Sequence, residues 1–373
     1  MSPIVARIGL MMILSLFLSS CSDQLNLENA NIPLVLGMDL DKNEKFHFYL
    51  TAPVFSNNIK KKSYELTGTA KTLRQSKAAQ DAQSSGATQG RNYQVILIGK
   101  RMLNYEGWFK MLEVIYRDAR NTVTDRVIVV DGSVPEMLYL NPPDQPMLPI
   151  LLRGMVDSTS SHSETVSTTA HELHRQFTDL GITPYVSQVK IIGGKVRLQG
   201  TALISQTGLY KGTLDAQETV LLRILQKNAE PGFSLSYQLP QEPEISPFAT
   251  NMVSFTAGKV KTKIKTGFQN NRFKYDFKVS LVVGLSEHLF PFDVYHDSKQ
   301  LEKMIEEQLT AQFNALIAKI QKLKIDPIGL GVYARAYEYQ AFKKTENEWG
   351  EVLSQADIHI STKVKISAMG PIK

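Results

Sequence analysis

The clearest pattern in the chain lies toward its C-terminal end. Val260, Thr262 and Ile264 alternate with Lys259, Lys261, Lys263 and Lys265. After a Gln269-Asn270-Asn271 turn, Phe273, Tyr275, Phe277, Val279, Leu281 and Val283 alternate with Lys274, Asp276, Lys278 and Ser280. A period of two sends alternate side chains to opposite faces of a strand. The spacing therefore predicts a long antiparallel hairpin with one face buried and the other wet and basic. The period then changes. Leu301, Met304, Ile305, Leu309, Phe313, Leu316, Ile317, Ile320 and Leu323 recur in steps of three and four, one stripe of a long helix. Asp297 and Gln300 read as its capping box, and Asp326-Pro327 as its end. A late strand over 357–367 alternates Ile358, Ile360, Val364 and Ile366. Three strands and one helix make a two-layer α+β unit, an antiparallel sheet packed on a long amphipathic helix.

The first part of the chain alternates strand and helix patterns. Strands are predicted over 33–40, 45–54, 64–69, 93–98 and 124–130, and helices over 72–85, 105–117 and from Ser133. This is an α/β domain over 32–140. The Pro-rich stretch 141–149 breaks it. The middle segment, 141–250, holds a Ser/Thr-rich stretch and a helix over 171–180. A hairpin over 185–205 turning at Gly193-Gly194 follows, then a helix opened by an Asp215/Glu218 capping box. A proline-rich run, 230–250, closes it. The expected fold class is α+β with three mixed α/β domains, the third over 251–373.

The N-terminus carries a different signal. Arg7 precedes an apolar run, Ile8 to Leu18, followed by Ser19, Ser20 and Cys21. This is the layout of a secretory signal peptide over 1–20. Its apolar run is shorter than the roughly 20 residues that span a bilayer. Leu18-Ser19-Ser20-Cys21 resembles a bacterial lipobox. That resemblance implies cleavage between Ser20 and Cys21, an S-diacylglycerol on the Cys21 thiol and an acyl group on its amine. Cys21 is the chain's one cysteine, so no disulfide can form within the chain. Residues 21–31 read as a polar tether.

Composition adds less. At 373 residues and 43% hydrophobic, the chain has apolar content enough for a folded protein of two or three domains. Its net charge of +6 reads most plainly as ordinary surface charge; as a binding signal it suits an anionic membrane or wall surface better than nucleic acid, which an exported protein rarely meets. Catalytic patterns are few. His162, His171 and His174 lie near Glu164 and Glu172, but His171-Glu172-Leu173-His174 is one residue short of the zinc-protease spacing. Solvated helix-surface histidines are the plainer reading. Gly193-Gly194-Lys195 lacks the earlier glycine and the following Ser or Thr of a phosphate loop. No nucleophile elbow or dinucleotide fingerprint occurs. The residues therefore point to no catalysis, cofactor or metal. The lysines at 259, 261, 263 and 265 have two readings, an anionic binding surface or protection of an edge strand.

Several pieces together resemble one family. They are Cys21 with its lipobox, Leu34-Val35-Leu36-Gly37-Met38-Asp39, Leu66-Thr67-Gly68-Thr69-Ala70 and Gln94-Val95-Ile96-Leu97-Ile98-Gly99. Tyr116-Arg117-Asp118, Ile325-Asp326-Pro327-Ile328-Gly329-Leu330-Gly331, Trp349 and Lys363-Val364-Lys365-Ile366 complete the set. In this order and spacing they resemble the Ger(x)C family of spore germination lipoproteins, the C subunits of nutrient germinant receptors. Ser22-Asp23 stands where the family usually has Trp-Asp, and Tyr93-Gln94 where a family His often sits. The resemblance implies three α+β domains, no known catalytic activity, and a complex with A and B membrane subunits. It also implies a lipid-anchored position on the outer face of the spore inner membrane. A solute-binding lipoprotein that delivers a small molecule to a transporter is the alternative. That class normally shows two lobes with parallel sheets, which the lysine-rich hairpin argues against.

Overall fold

In the computed structural model the described residues are 30–54, 61–84, 86–88, 92–119, 121–140, 145–238, 251–288, 292–293 and 296–368, together with Ile4. Ser20, Cys21 and nearly all of the signal and tether segments lie outside them. The first described strand, β1 (Ala30–Asn31), pairs only with the equally short β5 (Ala87–Thr88). Between them come β2 (Val35–Leu40), β3 (Phe46–Pro53), β4 (Ser63–Thr69) and helix α1 (Leu73–Asp81). Next are β6 (Val95–Gly99), α2 (Glu113–Arg117), β7 (Arg126–Val130), α3 (Val134–Tyr139), α4 (Leu148–Ser161) and α5 (Ala170–Thr178). Then β8 (Tyr185–Ile192), β9 (Lys195–Ile204) and β10 (Tyr210–Leu214) complete an eight-stranded sheet of order β10-β9-β8-β7-β6-β2-β3-β4.

This sheet is parallel at its centre, where β2, β6, β7 and β8 lie side by side, and antiparallel toward both edges. The central strands read as unbroken apolar runs because both faces are covered. Leu36, Ile96, Ile98, Val127 and Val129 face one cluster with Trp108, Leu112 and Ile115. Val35, Val95, Leu97, Ile128 and Val130 face the other, against Val134 and Met137 of α3 and Leu152 and Val156 of α4. The sheet runs straight through residue 140, where a boundary between first and middle domains was expected. The joint is short: only Ile128 to Val130 pair with Ser187 to Val189.

After β10, helix α6 (Ala216–Leu225) leads to β11 (Ser234–Gln238), β12 (Met252–Gln269) and β13 (Arg272–His288). The long helix α7 (Ser298–Leu323) follows, then three short helices, α8 (Leu330–Tyr337), α9 (Tyr339–Thr345) and α10 (Trp349–Ser354), and β14 (Asp357–Ala368). The second large sheet has the order β11-β12-β13-β14. Its inner face and the buried stripe of α7, Leu301, Ile305, Leu309, Phe313, Leu316, Ile317 and Ile320, share one core. Each such side chain contributes about 1.5–3 kcal/mol on burial.

The mixed α+β class and the long hairpin agree with the sequence pattern. Asn270 and Asn271 turn it with φ of 51° and 59°, the left-handed pair that a two-residue hairpin needs. Several details differ. β14 joins β13 in parallel, so the last sheet is not wholly antiparallel; the chain crosses over through α7 before returning. Asp297 makes no side-chain cap, because its φ of −110° and ψ of 21° lie away from the extended region that a capping residue adopts. The Asp215/Glu218 box does form, with Glu218 N donating to Asp215 Oδ1 at 2.8 Å. The helix expected over 105–117 is split: Gly107 takes φ of 72°, a 3₁₀ turn covers Trp108–Leu112, and only Glu113–Arg117 is α-helical. Tertiary structure imposes this, since Trp108 Nε1 donates to the Gly208 carbonyl at 2.7 Å.

Candidate functional site

The motif residues gather at two buried carboxylates. The first is Asp39, on the buried strand β2 and 3% exposed. Its Oδ2 accepts from Val134 N at 2.9 Å, where α3 begins, and its Oδ1 accepts from Leu40 N at 2.8 Å. Burial pushes its carboxyl up, against the pull of those amides and of Arg101. Gly99 ends β6 beside it, and a Cβ there would lie 2.0 Å from Asp39 Oδ1. Gly37 leaves equal room for α3, since a Cβ would meet Val134 Cγ1 at 2.8 Å. Gly37, Asp39 and Gly99 thus pin a helix start against two parallel strands.

The second is Asp326, fully buried beyond the C-terminus of α7. Oδ1 accepts from Gly329 N, and Oδ2 from Gly331 N and Trp349 Nε1, all at 2.8 Å. Burial raises its carboxyl, opposed by the indole and backbone donors. Its backbone reaches the other sheet: Asp326 N donates to Thr183 Oγ1 at 2.9 Å, and Thr183 N to Asp326 O at 2.8 Å. Gly331 lies so close to Gly181 that a Cβ on it would come within 2.6 Å of Gly181 Cα. Arg335 adds a bidentate pair to Asp179, at 2.9 and 3.0 Å. The Asp326–Gly331 loop and Trp349 therefore form a close junction between the two large sheets, beside the core that Tyr185, Leu203 and Leu214 share with the four-stranded sheet. Thr183, Gly181 and Asp179 were not singled out in the sequence; their signal was only a Gly ending a helix.

The other expected positions scatter. His171 and His174 are exposed on α5, and His174 packs edge-on against Tyr116 with ring centres 4.5 Å apart. His162 is exposed at the end of α4, its Nδ1 3.1 Å from the Ser158 carbonyl oxygen. Glu172 is occupied in a capping box with Thr169, and Glu164 stands apart. Among the described residues no group of three or more His, Cys, Asp or Glu is placed to hold a metal ion. Gly193 and Gly194, with φ of 58° and 72°, form the β8–β9 turn, and Lys195 is exposed after it. Lys259, Lys261, Lys263 and Lys265 are exposed on the outer face of β12, along a stretch that pairs with β13 on one side and, among the described residues, with no strand on the other. No described helix is long and apolar enough to cross a membrane. The sites described are thus joints and a charged face.

Known proteins carry the same layout. The spore germination protein N-terminal domain matches residues 23–191, and the spore germination B3/GerAC-like C-terminal domain matches residues 199–370. The chain belongs to the Ger(x)C family of spore germination proteins. The seam between the two matches falls at the β8–β9 hairpin, inside the eight-stranded sheet. Among Ger(x)C relatives, the chain is 24% identical to spore germination protein A3 of Bacillus subtilis (strain 168), over 98% of each chain. It is 20% identical to spore germination protein GerQC of Bacillus cereus, over 97% of this chain and 98% of that one. The fold resembles the crystal structure of the GerBC protein, with a TM-score of 0.56 and 18% identity over 89% of this chain and 96% of that one. The family descriptions and the names of both relatives refer to spore germination.

Proposed function

We propose that this chain is a lipid-anchored, non-catalytic subunit of a nutrient germinant receptor. In this reading a diacylglycerol on Cys21 holds it on the outer face of the spore inner membrane. There it supports assembly or coupling of the A and B membrane subunits. The observation that carries the reading is the paired family match along almost the whole chain, from residue 23 to residue 370. The lipobox ahead of it supplies the anchor. The buried motif residues support a body rather than a reactive site: Asp39 and Asp326 are engaged in internal hydrogen bonds.

The test is Cys21→Ala in spores. Incorporation of radiolabelled fatty acid should disappear, the protein should leave the membrane fraction, and germination on the responding nutrient should fail. A variant that stays on membranes after a high-salt wash, with germination intact, would contradict the reading.

A further inference from the structure

The outer face of the four-stranded sheet carries a charge pattern that the receptor reading does not use. β12 presents Lys259, Lys261, Lys263 and Lys265 there, β13 presents Lys274 and Lys278, and β14 presents Lys363 and Lys365. All but the half-buried Lys274 are exposed. Arg272 adds a ninth cation on this face, 3.9 Å from Asp357, and Asp276, Asp357 and Glu287 are its carboxylates. Nine cations against three carboxylates leave an excess of six, equal to the formal +6 of the entire chain.

The register makes the pattern two-dimensional. Lys263 lies directly opposite Lys278, which lies opposite Ser361. The next rung holds Lys261, Ser280 and Lys363, and the one after holds Lys259, Val282 and Lys365. Like charges directly opposed across strands destabilise a sheet. Here such a pair stands on an open face, and among the described residues none of the eight lysines forms an ion pair. Strands lie about 4.8 Å apart and same-face residues about 7 Å apart. Those spacings fall below the Debye length of about 8 Å at physiological salt, so the lysines act together on an anion. The opposite face is closed by α7, leaving this one as the sheet's solvent surface.

We infer that this face docks onto a bilayer surface of anionic phospholipid headgroups. The choice of occupant rests on the membrane-anchored reading above, which keeps the chain within reach of a bilayer. Three features favour headgroups over an acidic polypeptide. The charges spread over three strands and do not follow one line. Eight of the nine cations are lysines, compact point charges, where bidentate recognition of a defined phosphate or carboxylate favours arginine, and the one arginine, Arg272, stands beside Asp357. The edge of β14, where an acidic strand could add, is already closed: Val364 N donates to Glu306 Oε1 and Ile366 N to Glu302 Oε1, both at 2.8 Å.

The test uses residues 21–373 with Cys21→Ala, which retain both large sheets and carry no lipid. The protein is sedimented with vesicles of phosphatidylcholine alone or mixed with phosphatidylglycerol. It should bind the anionic vesicles only, and lose them at high salt. Changing Lys261, Lys263, Lys278 and Lys363 together to Gln should weaken binding by roughly 100-fold or more. The thermal midpoint of that variant should hold or rise, since the Lys263–Lys278 repulsion is gone. Equal binding to neutral vesicles, unchanged binding by the variant, or tighter binding to soluble polyglutamate than to anionic vesicles would overturn the inference. With no lipid present, a failed anchor at Cys21 leaves this result untouched.

Discussion

At the scale of single residues, the family motifs are places where backbone and carboxylate meet. Removing Asp326 by Ala would orphan three buried N–H donors, on Gly329, Gly331 and Trp349. Each orphan costs about 1–3 kcal/mol, so urea unfolding should show a loss of about 3 kcal/mol or more. Gly99→Ala should also destabilise, because its methyl would overlap Asp39 Oδ1. In an Asp39→Ala background the same change should cost less, and a double-mutant cycle reads that coupling. Asp125 makes a different prediction. It is buried, and among the described residues its Oδ2 has no hydrogen-bond partner. Burial pushes its carboxyl up to about 7, against the Thr122 hydroxyl and Arg153. The unfolded chain releases that proton near pH 4, whereas the folded chain keeps it to about pH 7. This group's contribution to stability should therefore be full below about pH 4 and fall as pH rises toward about 7, then level off. Asp125→Asn should flatten that part of a stability–pH profile. The sequence showed Asp39, Gly99 and Asp326 as motif pieces but not their contacts: Asp39 reaches an amide 95 residues away. Asp125, between Thr124 and Arg126, read only as the start of a strand.

At the scale of elements, periodicity carried the reading where it was long. The β12–β13 hairpin and α7 hold their patterns over many residues, and both stand close to where the pattern put them. Shorter elements escaped. α4 was hidden by Pro149 and by a polar second half, although proline suits a helix's first turn. β11 lay in a proline-rich run, and α8 to α10 lack a long apolar stripe. The parallel docking of β14 has no local signature, since register is set by the sheet face and not by the strand alone. The closure of that edge by Glu302 and Glu306 is testable. Changing both to Ala frees two edge amides and should promote edge-to-edge association. Light scattering after size exclusion should then show dimers or larger species; a variant that stays monomeric would show that the carboxylates are not what blocks the edge.

At the scale of the whole molecule, two sheets of different construction share a core, in which Tyr185, Leu203 and Leu214 of the first pack with α6 and the inner face of the second. The eight-stranded sheet is covered on both faces, whereas the four-stranded sheet is covered on one and leaves a lysine lattice open. The Asp326–Gly331 loop couples them through Thr183 and Gly181. In the function proposed above, this body holds other proteins in place beside a bilayer. The most direct test of the central proposal is purification of the tagged chain from detergent-solubilised spore membranes. The account expects two polytopic membrane proteins to accompany it in fixed proportion, and expects Cys21→Ala to lower the recovered complex. Recovery of a free monomer that binds an amino acid tightly, with no membrane partner, would contradict it.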